Sequence, residues 1–151
     1  MGDAMNKEAF IVEFKKYLKS RSLPFTPERE AAVNLIGDMD YHFTIEELLG
    51  VIRQENLQVS RATLYRTILV LIDSKLLIKL SRMDKPPVYE SVLEKRPHNH
   101  FLCNRCGSII EFESPEIEDR IRKISLENRF DVSSHSLKIY GNCPVCAGKG
   151  E

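Results

Sequence analysis

Residues 59–80 read "VSRATLYRTILVLIDSKLLIKL". Ser60 suits a helix N-cap, where a hydroxyl accepts from an orphan amide of the first turn. Beyond it Leu64, Ile68, Leu71 and Ile72 recur at helical spacing, which predicts a helix over 60–73 with one buried stripe. The apolar pattern then changes. "LIKLS" and, after the Pro-rich turn "RMDKPP", "PVYESV" predict two strands of a hairpin.

Upstream the pattern is helical. Phe10, Ile11, Phe14, Tyr17 and Leu18 mark a first helix over 6–20. Thr26 with Pro27 at the first helical position opens a second. Thr44 and Glu47 have the capping-box spacing and open a third, with Ile45, Leu48, Leu49 and Ile52 inward. Short helices followed by a hairpin have the layout of a winged helix-turn-helix, with 60–73 as recognition helix. Its first half carries Ser60, Arg61, Thr63, Tyr65 and Arg66, residue types that reach phosphates and base edges. The alternative is that these side chains merely solvate an exposed helix face.

The chain has 151 residues, 42% hydrophobic and 29% charged, with zero net charge. Up to Leu93 there are 13 Lys plus Arg against 13 Asp plus Glu, and beyond it 9 against 9. Neither part is basic, so DNA binding must rest on local placement rather than bulk charge. The opening "MGDAM" is left outside the fold reasoning. With no signal-peptide pattern and no run of 18 apolar residues, a cytoplasmic location without membrane spanning is expected.

After "LEKRP" (93–97), which reads as a linker, the pattern becomes strand, strand, helix, strand: "HFLC", "SIIEF", a helix from Pro115 to about Asn128, and "SHSLKIYGNC". Ser114-Pro115-Glu116 repeats the capping logic of the second helix, and Ile117, Ile121, Ile124 and Leu126 form its apolar side. The expected fold class is α+β: a winged-helix domain over 6–92, a linker over 93–97, and a small α/β domain over 98–151.

"HNHFLCNRC", residues 98–106, carries the chemistry. Residues two apart on a strand share a face, so His98 and His100 point the same way and Cys103 the other. Cys103 and Cys106 form a C-x2-C knuckle, and after 36 intervening residues Cys143 and Cys146 form another. Four thiolates suit a closed tetrahedral structural zinc site. A redox pair or a disulfide framework is the alternative, disfavoured in a reducing cytosol. For a second metal, His98 and His100 need carboxylates or a further His. Glu90, Glu111, His42 and His135 are the candidates. If His42 and Glu90 share the ion of His98 and His100, that metal joins the two domains and becomes a switch.

"ATLYRT", "PHNHFLCNRCGSIIEF" and "HSLKIYGNCPVC", in this order and spacing, resemble the ferric uptake regulator family of bacterial metal-dependent repressors, from about residue 10 to 147. The resemblance implies an α/β dimerisation domain, a zinc held by Cys103, Cys106, Cys143 and Cys146, and a regulatory metal at His42, Glu90, His98, His100 and Glu111. It also implies DNA reading by Tyr65, Arg66 and Arg29, with a palindromic operator and a homodimer or tetramer as partners. Many members use a further site with a His and an Asp beside the His pair. Here those positions are Pro97 and Asn99, so Glu118 and His135 remain as half of a degraded third site. Pro24 stands where members often place a Lys that enters the minor groove. Glu111 stands where peroxide sensors of the family resemble one another in having Asp, and no spare Cys exists for a zinc sensor's regulatory site. That leaves iron or manganese; the resemblance implies Fe2+ as regulatory metal, because iron sensing is the commoner in the family, with Mn2+ or Zn2+ able to substitute, and manganese or peroxide sensing as alternatives. A metal hydrolase is the rival class, but nothing resembles H-E-x-x-H or a nucleophile motif.

Overall fold

The computed structural model describes residues 7–39, 42–92 and 98–148. The expected linker 93–97 and the start at residue 6 lie outside them. The elements are α1 (Lys7–Ser20), α2 (Pro27–Gly37), α3 (Ile45–Gln54), α4 (Arg61–Asp73), β1 (Leu77–Arg82), β2 (Lys85–Ser91), β3 (Asn99–Cys103), β4 (Ile109–Phe112), α5 (Pro115–Glu127), β5 (Lys138–Gly141) and α6 (Pro144–Ala147). Two compact units emerge: residues 1–81 with 86–95, and residues 82–85 with 96–151. Among the described residues no helix is long and apolar enough to cross a membrane.

The first unit is built on its caps. Thr26 accepts from the Arg29 amide at 3.3 Å, and Ser60 accepts from the Thr63 amide at 3.1 Å. At α3 the box is reciprocal: Thr44 Oγ1 accepts from the Glu47 amide, and Glu47 Oε2 accepts from the Thr44 amide. Each such cap stabilises its helix by about 1 kcal/mol. The apolar faces meet in one core containing Phe10, Phe14, Leu18, Ile36, Leu48, Leu64, Ile68 and Leu71. Leu64 is fully buried, so Leu64→Ala should cost about 2–5 kcal/mol. The hairpin turn is tighter than the expected "RMDKPP". Asp84 adopts φ 49°, and β2 begins at Lys85. Pro86 and Pro87 then lie within the strand, which a two-stranded edge tolerates because no interior ladder loses a donor.

The second unit is a three-stranded sheet of order β4-β3-β5, with β4 antiparallel and β5 parallel to β3. The capping expected at Ser114 does not form. Its hydroxyl donates to Glu116 Oε2 at 2.8 Å instead of accepting a backbone amide. The last strand is shorter than "SHSLKIYGNC", running over Lys138–Gly141 alone. The apolar side of α5 is present, yet no residue of that helix is buried, and Leu126 is 72% exposed.

Candidate metal centres and nucleic-acid interface

The sulfur site is built where β3 ends. Cys103 is its last residue, and the chain reverses through Gly107 at φ 71°, a left-handed conformation that glycine adopts without a Cβ clash. Cys103 and Gly141 are partners in the β3–β5 register, and the Asn104 amide donates to the Gly141 carbonyl at 2.7 Å. That pairing brings the second knuckle alongside the first. Cys143 occupies the N-cap position of α6, and Cys146 lies in that helix.

The four sulfurs lie within 4.8 Å of one another, and Cys106 Sγ is 3.7 Å from Cys143 Sγ. A disulfide needs about 2.05 Å. A zinc tetrahedron with Zn–S near 2.3 Å needs about 3.8 Å between sulfurs, so the observed edge fits a shared ion. Cys103 Sγ accepts backbone amides from Cys106 at 3.5 Å and Cys143 at 3.3 Å. These two amides hold its thiol down to about 5, which favours the thiolate a metal requires. The Ser108 hydroxyl, 3.2 Å away, lowers Cys106. Burial pushes the Cys146 thiol up to about 12. A divalent cation offsets that cost, because a coordinating thiol is deprotonated outright.

The nitrogen and carboxylate donors are placed within each unit separately. In the first, the Phe43 amide donates to the Tyr89 carbonyl at 3.0 Å and the Tyr89 amide to the Phe43 carbonyl at 2.7 Å. The two rings stack with centroids 6.1 Å apart. This single bridge ties the loop before α3 to β2 and sets His42 Nε2 3.4 Å from Glu90 Oε2, with Glu90 fully buried. In the second unit His98 Nε2 lies 3.1 Å from His100 Nε2. Glu111 faces His100 across the antiparallel β3–β4 pair, where opposite residues share a face.

His135 joins neither group. Its Nε2 lies 3.1 Å from Glu118 Oε1, and among the described residues no third His, Cys, Asp or Glu completes a ligand set with them. Asn99 is buried opposite Phe112, and among the described residues neither of its amide atoms has a hydrogen-bond partner. Pro97 lies outside the described residues.

On α4 the exposed strip comprises Arg61, Ala62, Tyr65, Arg66 and Leu69, at spacings that share a helix face. Tyr65 is 42% exposed. Arg61 forms a forked pair with Glu46, at 2.9 and 3.3 Å. Ser60 and Thr63 bond to each other, so both serve the cap. Arg29 donates to the Pro24 carbonyl at 2.6 Å. The Glu46 partner escaped the sequence reading. Its only signal was acidic character in the first turn of α3, which the helix dipole already explains.

A helix-turn-helix with a hairpin, followed by a unit that assembles a four-sulfur centre and a histidine pair, defines a metal-responsive DNA-binding regulator. The model of the ferric uptake regulator family matches residues 20–140. The ferric uptake regulation protein of Campylobacter jejuni is 34% identical over 92% of this chain and 89% of its own length. That of Bacillus subtilis is 31% identical over 92% and 95%. The solved structure of the Helicobacter pylori ferric uptake regulator, described as having three functional metal binding sites, superposes with a TM-score of 0.74 at 26% identity, covering 100% of both chains. The chain belongs to the ferric uptake regulator family. Members of that family are transcriptional regulators, so the hydrolase alternative falls.

Proposed function

We propose that this chain is an Fe2+-responsive repressor of iron-uptake genes, acting in the cytoplasm as a homodimer on a palindromic operator. Cys103, Cys106, Cys143 and Cys146 hold a structural zinc. His42, Glu90, His98, His100 and Glu111 bind the regulatory metal. Three imidazoles and two carboxylates form a mixed donor set that suits Fe2+ or Mn2+ and also accepts Zn2+. The curated relatives are named for ferric uptake, which supports iron. Glu118 and His135 serve as a hydrogen-bonded pair rather than as a third metal site.

The observation that carries this reading is the pairing of donors in each unit, His42 with Glu90 and His98 with His100. A metal taking ligands from both units links them, and such a link acts only as far as the metal favours the DNA-competent form. The exposed apolar residues of the second unit, including Phe101, Ile110, Leu126 and Phe130, support dimerisation through that unit. On α4, Tyr65 and Arg66 read the major groove, Arg61, Ser60 and Thr63 support that helix end, and Arg29 contacts phosphate.

Anaerobic DNA binding with Fe2+, Mn2+ or no added metal tests the proposal. Fe2+ should strengthen specific binding fivefold or more, a coupling of at least about 1 kcal/mol. A response to Mn2+ alone would assign the chain to manganese sensing, and equal binding without metal would end the switch reading.

A further inference from the structure

The turn of the β1–β2 hairpin carries two cations, Arg82 and Lys85. A hairpin wing would ordinarily offer such groups to DNA phosphates. Both side chains are instead directed to the first cysteine knuckle, and the turn belongs to the unit that contains it. The Lys85 ammonium donates to the carbonyl of Cys106, itself one of the four sulfur donors. Arg82 Nη1 donates to the Gly107 carbonyl at 3.4 Å. From the knuckle's own loop, Arg105 Nη1 donates to the Cys146 carbonyl at 3.4 Å. The fit around Lys85 is close. A Cβ at Gly107 would come within 2.7 Å of Lys85 Cδ and 3.3 Å of its Cε. The residue that lets the knuckle reverse also makes room for the lysine stem.

Zinc with four thiolates carries two net negative charges. Cations bonded to the carbonyls of the ligand loops offset that charge and fix the loops at once, because charge-assisted hydrogen bonds are stronger than neutral ones. Groups outside the ligand set commonly tune metal affinity in this way.

We infer that Lys85, with Arg82 and Arg105, is a positioning residue of the four-cysteine centre, and that Lys85 secures zinc retention instead of contacting DNA phosphate. This rests on the zinc reading above. Lys85→Met keeps the apolar stem and removes the donor, while Lys85→Arg keeps a cation. Two readouts on the full-length protein decide the matter: the rate at which zinc passes to an excess chromogenic chelator, and the salt dependence of binding to duplex DNA. Lys85→Met should lose zinc about tenfold faster, Lys85→Arg should release it more slowly than Lys85→Met, and the salt slope should match the parent in both. Unchanged zinc release in Lys85→Met overturns the inference, as does a salt slope reduced by about 1 per protomer, or about 2 for the dimer, the mark of a lost phosphate contact. A parent protein without zinc would bring down the zinc reading together with this one. A zinc-bearing parent with unaltered release in Lys85→Met would bring down this inference alone.

Discussion

His98 Nε2 lies 3.1 Å from His100 Nε2, and the His100 ring is almost wholly buried. Two imidazole nitrogens at this separation can both face one cation. If a metal takes both, His100→Ala should abolish the Fe2+ response of DNA binding while leaving zinc content unchanged. Metal analysis of the purified variant, alongside a binding titration, checks both halves. Loss of zinc as well would mean that the two centres are not independent.

Cys103 is the best-connected of the four sulfurs, accepting two backbone amides from different knuckles. Cys103→Ser should therefore yield a zinc-poor protein with a lowered Tm and weakened dimerisation, because metal binding and folding are coupled in such centres. Zinc content, thermal melts and sedimentation check this. A stable dimer with parental zinc would contradict it.

The thiol shifts set a pH dependence. The Cys103 value is depressed to about 5, so its thiolate interactions are complete above its ordinary value near 9 and are lost as pH falls through about 5. At neutral pH it gives up no proton on metal loading. Cys146, raised to about 12, gives up one. Zinc affinity should rise with pH throughout this range, and its dependence should steepen by about one proton below pH 5, where Cys103 joins the competition. Chelator competition across pH 4–7 measures the slope, and a constant slope would contradict the ionised state of Cys103.

The recognition helix divides its two arginines. Arg61 is engaged by Glu46, whereas Arg66 lies exposed beside Tyr65 on the strip facing away from the core. Arg66→Ala should weaken specific binding by about 1–3 kcal/mol if its contact is bidentate to a base. Fluorescence anisotropy on specific and scrambled duplexes separates the cases. An equal loss on both would indicate a phosphate contact, and no loss would remove Arg66 from the interface.

What was legible in the sequence was local. Thr26, Thr44 and Ser60 cap their helices because a hydroxyl and an amide three residues on are enough. Ser114 shows the limit of the same rule: Glu116, two residues on, offers a carboxylate that takes the hydroxyl's proton in a hydrogen bond. The histidine pair followed from strand alternation. The His42–Glu90 pair was named as candidate ligands and through the family resemblance, not from local pattern, since its geometry depends on the Phe43–Tyr89 bridge between segments 46 residues apart. Periodicity found the stripe of α5, but it could not tell a face buried within the chain from one left open. The grip of Lys85 on the Cys106 carbonyl has no sequence signature, because it requires both turns to be folded.

The central claim is that a metal bound by donors from both units controls DNA binding, and His42→Ala tests it most directly. His42 belongs to the first unit and lies outside the four-cysteine centre, so this variant should keep its zinc, its dimer and its helical content. Anisotropy titrations of operator DNA with and without Fe2+ measure the coupling. The parent should gain about 1–3 kcal/mol from the metal, and His42→Ala should gain almost none. A variant that responds to Fe2+ as the parent does would show that His42 is not a ligand of the switch.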